Sequence, residues 1–178
     1  MSTVTSITIR KYRIQDLSPV VRLFTDSVHE LTAGAYDETQ RYAWASRTPH
    51  LDTWRERLES LETLVAEEGS DLAGFISYEK DGHIDLVFTA PNYARRGIAS
   101  ALYHEAEQQL KELGVTELKT EASVVARPFF ERHGFEEFAG RMGLGMALLI
   151  EGNIDLALKA PLPVPVGFAV AHQQHTRA

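Results

Sequence analysis

The chain has 178 residues, of which 44% are hydrophobic and 24% charged, a balance typical of a soluble globular domain and unlike that of disordered or collagen-like chains. It carries 18 Lys and Arg residues against 25 Asp and Glu residues, and this net charge of -7 disfavours binding to nucleic acid. It contains no cysteine, which excludes disulfides, thiolate metal ligands and a cysteine nucleophile.

The first half of the chain is predicted to hold one strand followed by three helices. Residues 6–12 alternate and are rich in β-branched side chains, which favours a strand. Ser18 is a suitable cap for a first helix that ends at Leu31. Asp37 begins a capping-box pattern for a short second helix, and a third helix starts at Asp52.

The second half is predicted to be richer in strands. Three segments separated by short turns are typical of an antiparallel meander, and an apolar stripe between Gly97 and Gly114 predicts an amphipathic helix. The result is an α/β (α+β) fold, with one mixed, mostly antiparallel central sheet of about seven strands flanked by helices. The predicted segments are strands over 64–68, 72–79, 83–89 and 116–122, a short helix over 126–134, and a final strand pair over 135–148 and 153–159.

The ends of the chain and its histidines give further expectations. We assign residues 1–160 to a single domain and residues 161–178 to a C-terminal tail, partly disordered because three prolines precede polar residues. No apolar run approaches the roughly 20 residues of a membrane span, and the N-terminus lacks the apolar segment of a signal peptide. We therefore expect a cytoplasmic protein without a membrane partner. The seven histidines include no pair at i, i+4 spacing and have no cysteine companions, so we expect no metal.

The segment from residue 83 to 102 has a pattern that suits an anion. A strand leads through a short loop into a helix that begins at Gly97, and helix N-termini offer unpaired N–H groups and the positive end of the helix dipole. Gly97, Ala99 and Ser100 are small enough for a phosphate to approach the backbone, while Arg95 and Arg96 add positive charge. From these residues alone, a plain helix start with two surface arginines is the alternative.

These motifs resemble those of the Gcn5-related N-acetyltransferase (GNAT) family, and the resemblance runs from Ile7 to about Leu162. That family's pyrophosphate loop reads Gln/Arg-x-x-Gly-x-Gly/Ala, which residues 94–99 (ARRGIA) match except at Ala94. Its second signature is an Asn before Ala and then Tyr-Glu-Lys/Arg-x-Gly-Phe. Residues 123–135 follow that signature, with Ser123 for Asn and Phe130 for Tyr. The chain is most similar to a bacterial branch with a PFFERxGF segment and a Tyr and Trp spaced as Tyr36 and Trp44.

The resemblance implies a GNAT-like fold and an acetyl-CoA-dependent acyltransferase of the EC 2.3.1 type. Acetyl would pass from acetyl-CoA, as co-substrate, to a primary amine of a small molecule or peptide by direct attack in a ternary complex. The acidity of the chain suits a cationic acceptor. Because Phe130 cannot give a proton and Ser123 replaces the helper Asn, the alternative is a non-catalytic acyl-CoA-binding regulatory module. The pattern leaves monomer and homodimer open.

The resemblance also places the cofactor on the strand before the loop, on the loop, and on the second signature. The cofactor-binding residues that it implies are Phe88, Thr89, Ala90, Arg95, Arg96, Gly97, Ile98, Ala99, Ser100, Ser123, Phe129, Phe130 and Arg132. Ser123, at the Asn position, is also a catalytic candidate. The substrate-binding candidates are His29, Tyr36 and Trp44, whereas Tyr42 and Trp54 are expected in the core or at the surface.

Asp85 is the candidate general base. Alternation with a period of two places it on one face of its strand with Val87 and Thr89, and Ile84, Leu86 and Phe88 on the other. A carboxylate in an otherwise apolar strand is costly unless it is used. An Asp held in a salt bridge is the equal alternative. His133, in the turn after the short helix, is expected to be a cation at a helix end.

Overall fold

One central sheet organises the part of the chain that the computed structural model describes, residues 6–137 and 169–174. Its strands lie side by side in the order β1-β2-β3-β4-β5-β7-β6, and among these pairs β4 and β5 alone run parallel. The strands are β1 (Ile7–Lys11), β2 (Glu62–Glu68), β3 (Asp71–Tyr78), β4 (His83–Thr89), β5 (Glu117–Ala122), β6 (Glu136–Glu137) and β7 (Ala169–Gln174).

Five helices accompany the sheet in the described residues, in the predicted chain order. They are α1 (Leu17–Leu31), α2 (Glu38–Trp44), α3 (Leu51–Ser60), α4 (Ile98–Glu112) and α5 (Arg127–Arg132). The capping box at Asp37 forms as predicted, with its carboxylate accepting the Gln40 N–H at 2.8 Å. Helix α1 begins at Leu17, ahead of the predicted cap Ser18, because Asp16 already ends the preceding turn and is fixed there by Arg10 at 2.7 Å.

Two hydrophobic cores lie on the two faces of the sheet. Neighbouring residues of β3 enter different cores: Ile76 joins Leu102 and Leu110 of α4, whereas Phe75 joins the helices α1 and α3 on the other face. This alternation is the period of two that a strand imposes. The mixed α/β architecture with a single sheet is therefore confirmed.

A β-bulge interrupts this alternation in β4. Tyr78 pairs with Ile84 and Ser77 pairs with Leu86, so Asp85 is an extra residue opposite β3. As a consequence Ile84 packs in the α4 core and Leu86 in the opposite core, although they are two residues apart. The predicted faces of β4 are therefore wrong around Asp85, because a bulge shifts the period by one residue.

The C-terminal strands differ from the sequence interpretation. Strand β7 lies within the predicted tail, yet it pairs with β5 along its whole length and with β6 at Glu136 and Glu137. Residues 169–174 thus contribute a strand to the sheet, and the division into a domain over 1–160 and a partly disordered tail stays a prediction. The predicted strand pair over 135–148 and 153–159 lies largely outside the described residues.

An ion pair lies at the end of the sheet at which β4 and β5 are hydrogen-bonded to each other. The two strands pair only at His83 with Lys119 and at Ile84 with Thr120. His83 Nε2 lies 2.7 Å from a Glu121 carboxylate oxygen, and Nδ1 lies 3.2 Å from Glu79. The hydrogen bond to Glu121, against the opposing effect of burial, raises the pKa of His83 to about 9.

The ion pair of His83 and Glu121 makes the stability of the fold depend on pH. Because the pKa of His83 is higher in the folded state than its ordinary 6.5, the stabilisation is complete below about pH 6.5 and is lost as the pH rises through about 9. After allowance for the partial exposure of His83, we expect the free energy of unfolding to fall by about 2 kcal/mol over this range. Urea unfolding should show this loss in the wild type and in His104→Gln, an exposed control, but not in His83→Gln. If the free energy of unfolding depended on pH in the same way in all three proteins, this prediction would be contradicted.

Candidate functional site

A gap opens in the sheet where β4 and β5 separate. Beyond Ile84 and Thr120 the two strands no longer pair, although β4 continues to pair with β3 as far as Thr89. The edge of β4 that faces β5 therefore carries peptide groups without a strand partner among the described residues. Phe88, Thr89 and Ala90, which the sequence places in the cofactor site, are partly buried at this end of β4, where the Ala90 N–H donates to the Ala73 carbonyl of β3 at 2.9 Å and Thr89 faces the gap. An extended amide-containing chain can hydrogen-bond there as an added strand does.

The loop after β4 delivers an open helix N-terminus beside this gap. Arg95 and Gly97 both have positive φ, 61° and 82°, which turns the chain into the 15-residue helix α4. A Cβ added at Gly97 would meet no atom within 4 Å, so the space in front of the helix is open. The N–H groups of Ile98, Ala99 and Ser100 have no acceptor within the helix. These features fit a pyrophosphate, which the helix dipole and these donors favour.

The two loop arginines, which are equivalent in the sequence, differ in the structure. Arg96 lies 2.6 Å from Glu68 and its guanidinium sits 4.9 Å from the centre of the Tyr93 ring. Arg95 is exposed and forms no ion pair with any residue in the described part of the chain. Arg95 is therefore the better placed of the two to meet a phosphate.

His133 contacts the helix that follows the loop. Its Nε2 lies 3.1 Å from the Ser100 hydroxyl, and its ring packs against Tyr103 with the centroids 4.5 Å apart. Burial, reinforced by the nearby His104, lowers the pKa of His133 below its ordinary 6.5. The aromatic packing that buries the ring therefore acts against the helix-end cation expected from the sequence.

The second signature lies partly in the core. Phe130 is 3% exposed and packs against Phe129 and Phe135 at 5.0 and 5.1 Å between ring centroids. Arg132 is exposed, and the buried Ser123 hydroxyl accepts the Ala126 N–H at 3.2 Å. A contact of Phe130 with the cofactor stays a prediction; what the structure shows for it is a role in packing.

Tyr36 reaches across to the end of β5. Its side chain is 4% exposed, and its hydroxyl accepts the Val124 N–H at 3.3 Å, next to Ser123. Its ring packs edge-on against Trp44, with centroids 5.6 Å apart, and Trp44 in turn contacts Phe88 of β4. The structure thus brings together four residues that the sequence singled out separately. Burial raises the pKa of Tyr36 above its ordinary 10.0, so the phenol stays protonated.

His29 occupies a different position from the other substrate candidates. It is 7% exposed, its Nε2 donates to the Ala45 carbonyl at 2.8 Å, and Tyr42 packs on its ring. This bond joins α1 to the end of α2 and takes up one ring nitrogen. The structure therefore gives His29 a contact that holds Trp44 and its helix in place, and a contact with substrate stays a prediction.

Asp85 is paired with a cation from α3. Arg57 Nε and Nη2 both donate to Asp85 Oδ2, at 2.9 and 2.7 Å, and the two side chains are only 9% and 16% exposed. The salt-bridged alternative that the sequence left open is therefore what the structure shows. The ion pair accounts for a carboxylate in this strand, and a role of Asp85 as general base stays a prediction.

Substitution of Asp85 separates the two roles. If the ion pair is its function, Asp85→Asn lowers the free energy of unfolding by roughly 3 kcal/mol, because Arg57 keeps a mostly buried charge, and reduces turnover less than tenfold. Loss of a general base would instead reduce turnover by about a hundredfold to ten-thousandfold. Asp52→Asn is a matched control, since Asp52 pairs with Arg55 on α3 but is 88% exposed. Urea unfolding and initial rates on the three proteins decide between the roles.

A cavity of about 120 Å³ lies between the first three helices and β4. Trp54 lines it and also packs against the hydrophobic core on this face of the sheet, as expected. Trp44 lies both at this cavity and beside the gap. Sequence reasoning missed most of the lining, because residues distant along the chain build it. The lining residues are Phe24, Thr25, Trp44, Ser46, Thr48, Pro49, His50, Trp54, Arg57 and Leu86.

The described residues contain no group of three His, Asp or Glu side chains placed to hold a metal ion. None of the helices found there has the length and apolar character needed to cross a membrane.

Comparison with known proteins gives a consistent picture. A family model described as an acetyltransferase (GNAT) domain matches residues 32–143. The N-acetyltransferase YafP of Escherichia coli, itself uncharacterised, is 36% identical over 133 residues, which span 74% of this chain and 82% of that protein.

Solved structures agree in fold. A GCN5-related N-acetyltransferase from Rhodopseudomonas palustris matches with a TM-score of 0.76 and 23% identity, covering 98% of this chain and 99% of that one. The PaiA N-acetyltransferase of Thermoplasma acidophilum, crystallised with coenzyme A, matches with a TM-score of 0.69 and 20% identity, covering 96% and 99%. At these identities the likeness is one of fold.

Proposed function

The chain belongs to the GNAT acetyltransferase family, and on that premise we propose that it moves an acetyl group from acetyl-CoA to a primary amine by direct attack within a ternary complex. The observation that carries this proposal is the open N-terminus of α4 beside the gap between β4 and β5. The helix end and Arg95 would hold the pyrophosphate, and the free edge of β4 would hold the pantetheine arm and place the thioester in the gap.

The proposed reaction needs no covalent enzyme intermediate. Acetyl-CoA supplies an activated acyl group, whose carbonyl carbon the amine attacks. A C–N bond forms, the C–S bond breaks, the ammonium proton of the adduct passes to water, and the thiolate takes up a proton. Peptide N–H groups on the free edge of β4 are donors for the carbonyl oxygen as negative charge develops on it. Holding both reactants in the gap lowers the entropic cost of their encounter.

Tyr36 is our proposed proton donor to the departing thiolate. The family's tyrosine is absent because Phe130 occupies that position and packs in the core. The Tyr36 hydroxyl accepts its hydrogen bond from the Val124 N–H, which leaves its own proton free to be donated into the gap. Ser123 lies beside the phenol, and its hydroxyl acts to lower the pKa of Tyr36 against the larger effect of burial. The proton that Tyr36 gives up returns from water.

A thiol-release assay with acetyl-CoA and a panel of primary amines tests the proposed function. We expect release that depends on the amine and saturates with both substrates. Saturable binding of coenzyme A without release on any amine would favour the alternative, an acyl-CoA-binding regulatory module, which the replacements at Phe130 and Ser123 suggest. The absence of both binding and release would contradict both functions.

A further inference from the structure

The cavity beside β4 is coupled to the gap through one layer of aromatic side chains. Phe88, which lies in β4 next to the gap, packs against Phe24 at 4.8 Å and against Trp44 at 6.3 Å between ring centroids. Phe24 and Trp44 are themselves cavity walls, and Phe24 also contacts Trp54 at 4.8 Å. A molecule seated in the cavity therefore lies next to the place at which the acetyl group would be presented.

The volume of the cavity limits what it can hold. At about 120 Å³ it is close in size to an engineered apolar cavity of about 150 Å³ that takes up benzene. One six-membered ring fills such a space, and the rest of a ligand extends towards solvent, to which the cavity is partly open.

The wall of the cavity is partly aromatic and partly polar, and its aromatic part favours contact with an aromatic ring. The rings of Phe24, Trp44 and Trp54 supply faces and edges for stacked or edge-on contacts, which contribute about 0.5–1.5 kcal/mol per pair beyond the burial of area. The charged wall residue Arg57 is neutralised by Asp85, and its guanidinium lies 5.9 Å from the Trp54 ring.

No carboxylate is among the described residues that line this cavity. A polyamine such as spermidine needs a negative group to receive its second ammonium, and the cavity offers none. The acidity of the whole chain, which suits a cationic acceptor in general, is therefore not focused at this site.

We infer that the cavity seats one aromatic ring of the acceptor, so that the acceptor class is a primary amine joined to a single aromatic ring by a short aliphatic linker. This inference rests on the proposed function. The linker spans the layer formed by Trp44 and Phe88, and the amine then lies at the gap. Ser46, Thr48 and His50 add polar side chains to the lining, which a polar ring substituent would contact.

The first test compares acceptors of matched amine chemistry in the thiol-release assay. Phenethylamine is expected to have a kcat/KM at least tenfold above those of n-butylamine and spermidine. Trp54→Leu keeps an apolar side chain but removes the ring, so it should reduce the preference for phenethylamine over n-butylamine at least fivefold. Tyr42→Leu replaces an exposed aromatic on the neighbouring helix that does not line the cavity, and should preserve the preference.

The second test measures binding of the amine in the cavity without catalysis. The chain has two tryptophans, Trp44 and Trp54, and both line the cavity, so intrinsic tryptophan fluorescence reports its occupancy. Phenethylamine should change this signal saturably in the absence of acetyl-CoA, and n-butylamine should not. A Trp54→Leu protein should bind phenethylamine at least fivefold more weakly, as followed through Trp44.

The outcomes distinguish the inference from the proposed function. Turnover of spermidine or n-butylamine at rates equal to that of phenethylamine would overturn the aromatic acceptor and leave the acetyltransferase intact. Saturable phenethylamine binding that depends on Trp54, with no turnover of any amine, would support the ring site and contradict the transferase. Turnover without any change in tryptophan fluorescence would place the acceptor elsewhere and overturn the inference.

Discussion

Gly97→Glu is expected to weaken coenzyme A binding by about a hundredfold or more. A carboxylate at this position faces the site proposed for the pyrophosphate, where juxtaposed like charges cost several kcal/mol, and each 1.4 kcal/mol is a factor of ten in affinity. The added side chain has room, since a Cβ there meets no atom within 4 Å. The positive φ of 82° adds a strain of roughly 1–2 kcal/mol, so the folded protein becomes somewhat less stable but persists.

Gly97→Asn is the matched control for this substitution. Asparagine tolerates the left-handed conformation and is neutral, so it isolates the effect of negative charge from that of a side chain. We expect titration calorimetry with coenzyme A to show a loss of less than about tenfold for Gly97→Asn. Equal affinity of wild type and Gly97→Glu would move the phosphate site away from the start of α4.

Tyr36→Phe is expected to lower turnover by about a hundredfold while coenzyme A affinity changes little. The substitution removes only the hydroxyl and keeps the ring that packs on Trp44. General acids contribute roughly a hundredfold to ten-thousandfold, and the lower end applies because a thiol of ordinary pKa about 8.5 is a moderately good leaving group. Stopped-time thiol release at saturating substrates measures the effect.

Tyr42→Phe removes a comparable hydroxyl from a tyrosine that is 42% exposed, and should retain wild-type turnover. If Tyr36→Phe also retains wild-type turnover, with acetyl-CoA binding intact, then water protonates the thiolate and the role of Tyr36 is limited to packing beside the gap. A fall in kcat without a fall in coenzyme A affinity marks a role in the chemical step.

Features of the site that depend on local sequence could be predicted. The start of α4 follows from a glycine placed between a strand and an amphipathic stripe, and the capping box at Asp37 depends on residues three apart. Both are decided within one turn of helix, where backbone geometry and hydrogen bonding are set by neighbours along the chain.

Features that depend on pairing between distant segments could not be predicted. The bulge at Asp85 exists only in the register of β4 against β3, and it reverses the faces of every residue beyond it. The pairing of Arg57 with Asp85 joins residues 28 apart in the chain. The aromatic cavity likewise requires α1, α3 and β4 to be packed before Phe24 and Trp54 meet.

Hydrogen–deuterium exchange with and without coenzyme A tests most directly the central claim, that the gap and the start of α4 form the cofactor site. The account predicts slower exchange of the backbone amides of residues 86–90 and 97–100 when coenzyme A is bound. The remote end of the sheet at His83 and Lys119 should exchange at an unchanged rate. Protection confined to other segments, or none at saturating coenzyme A, would contradict the account.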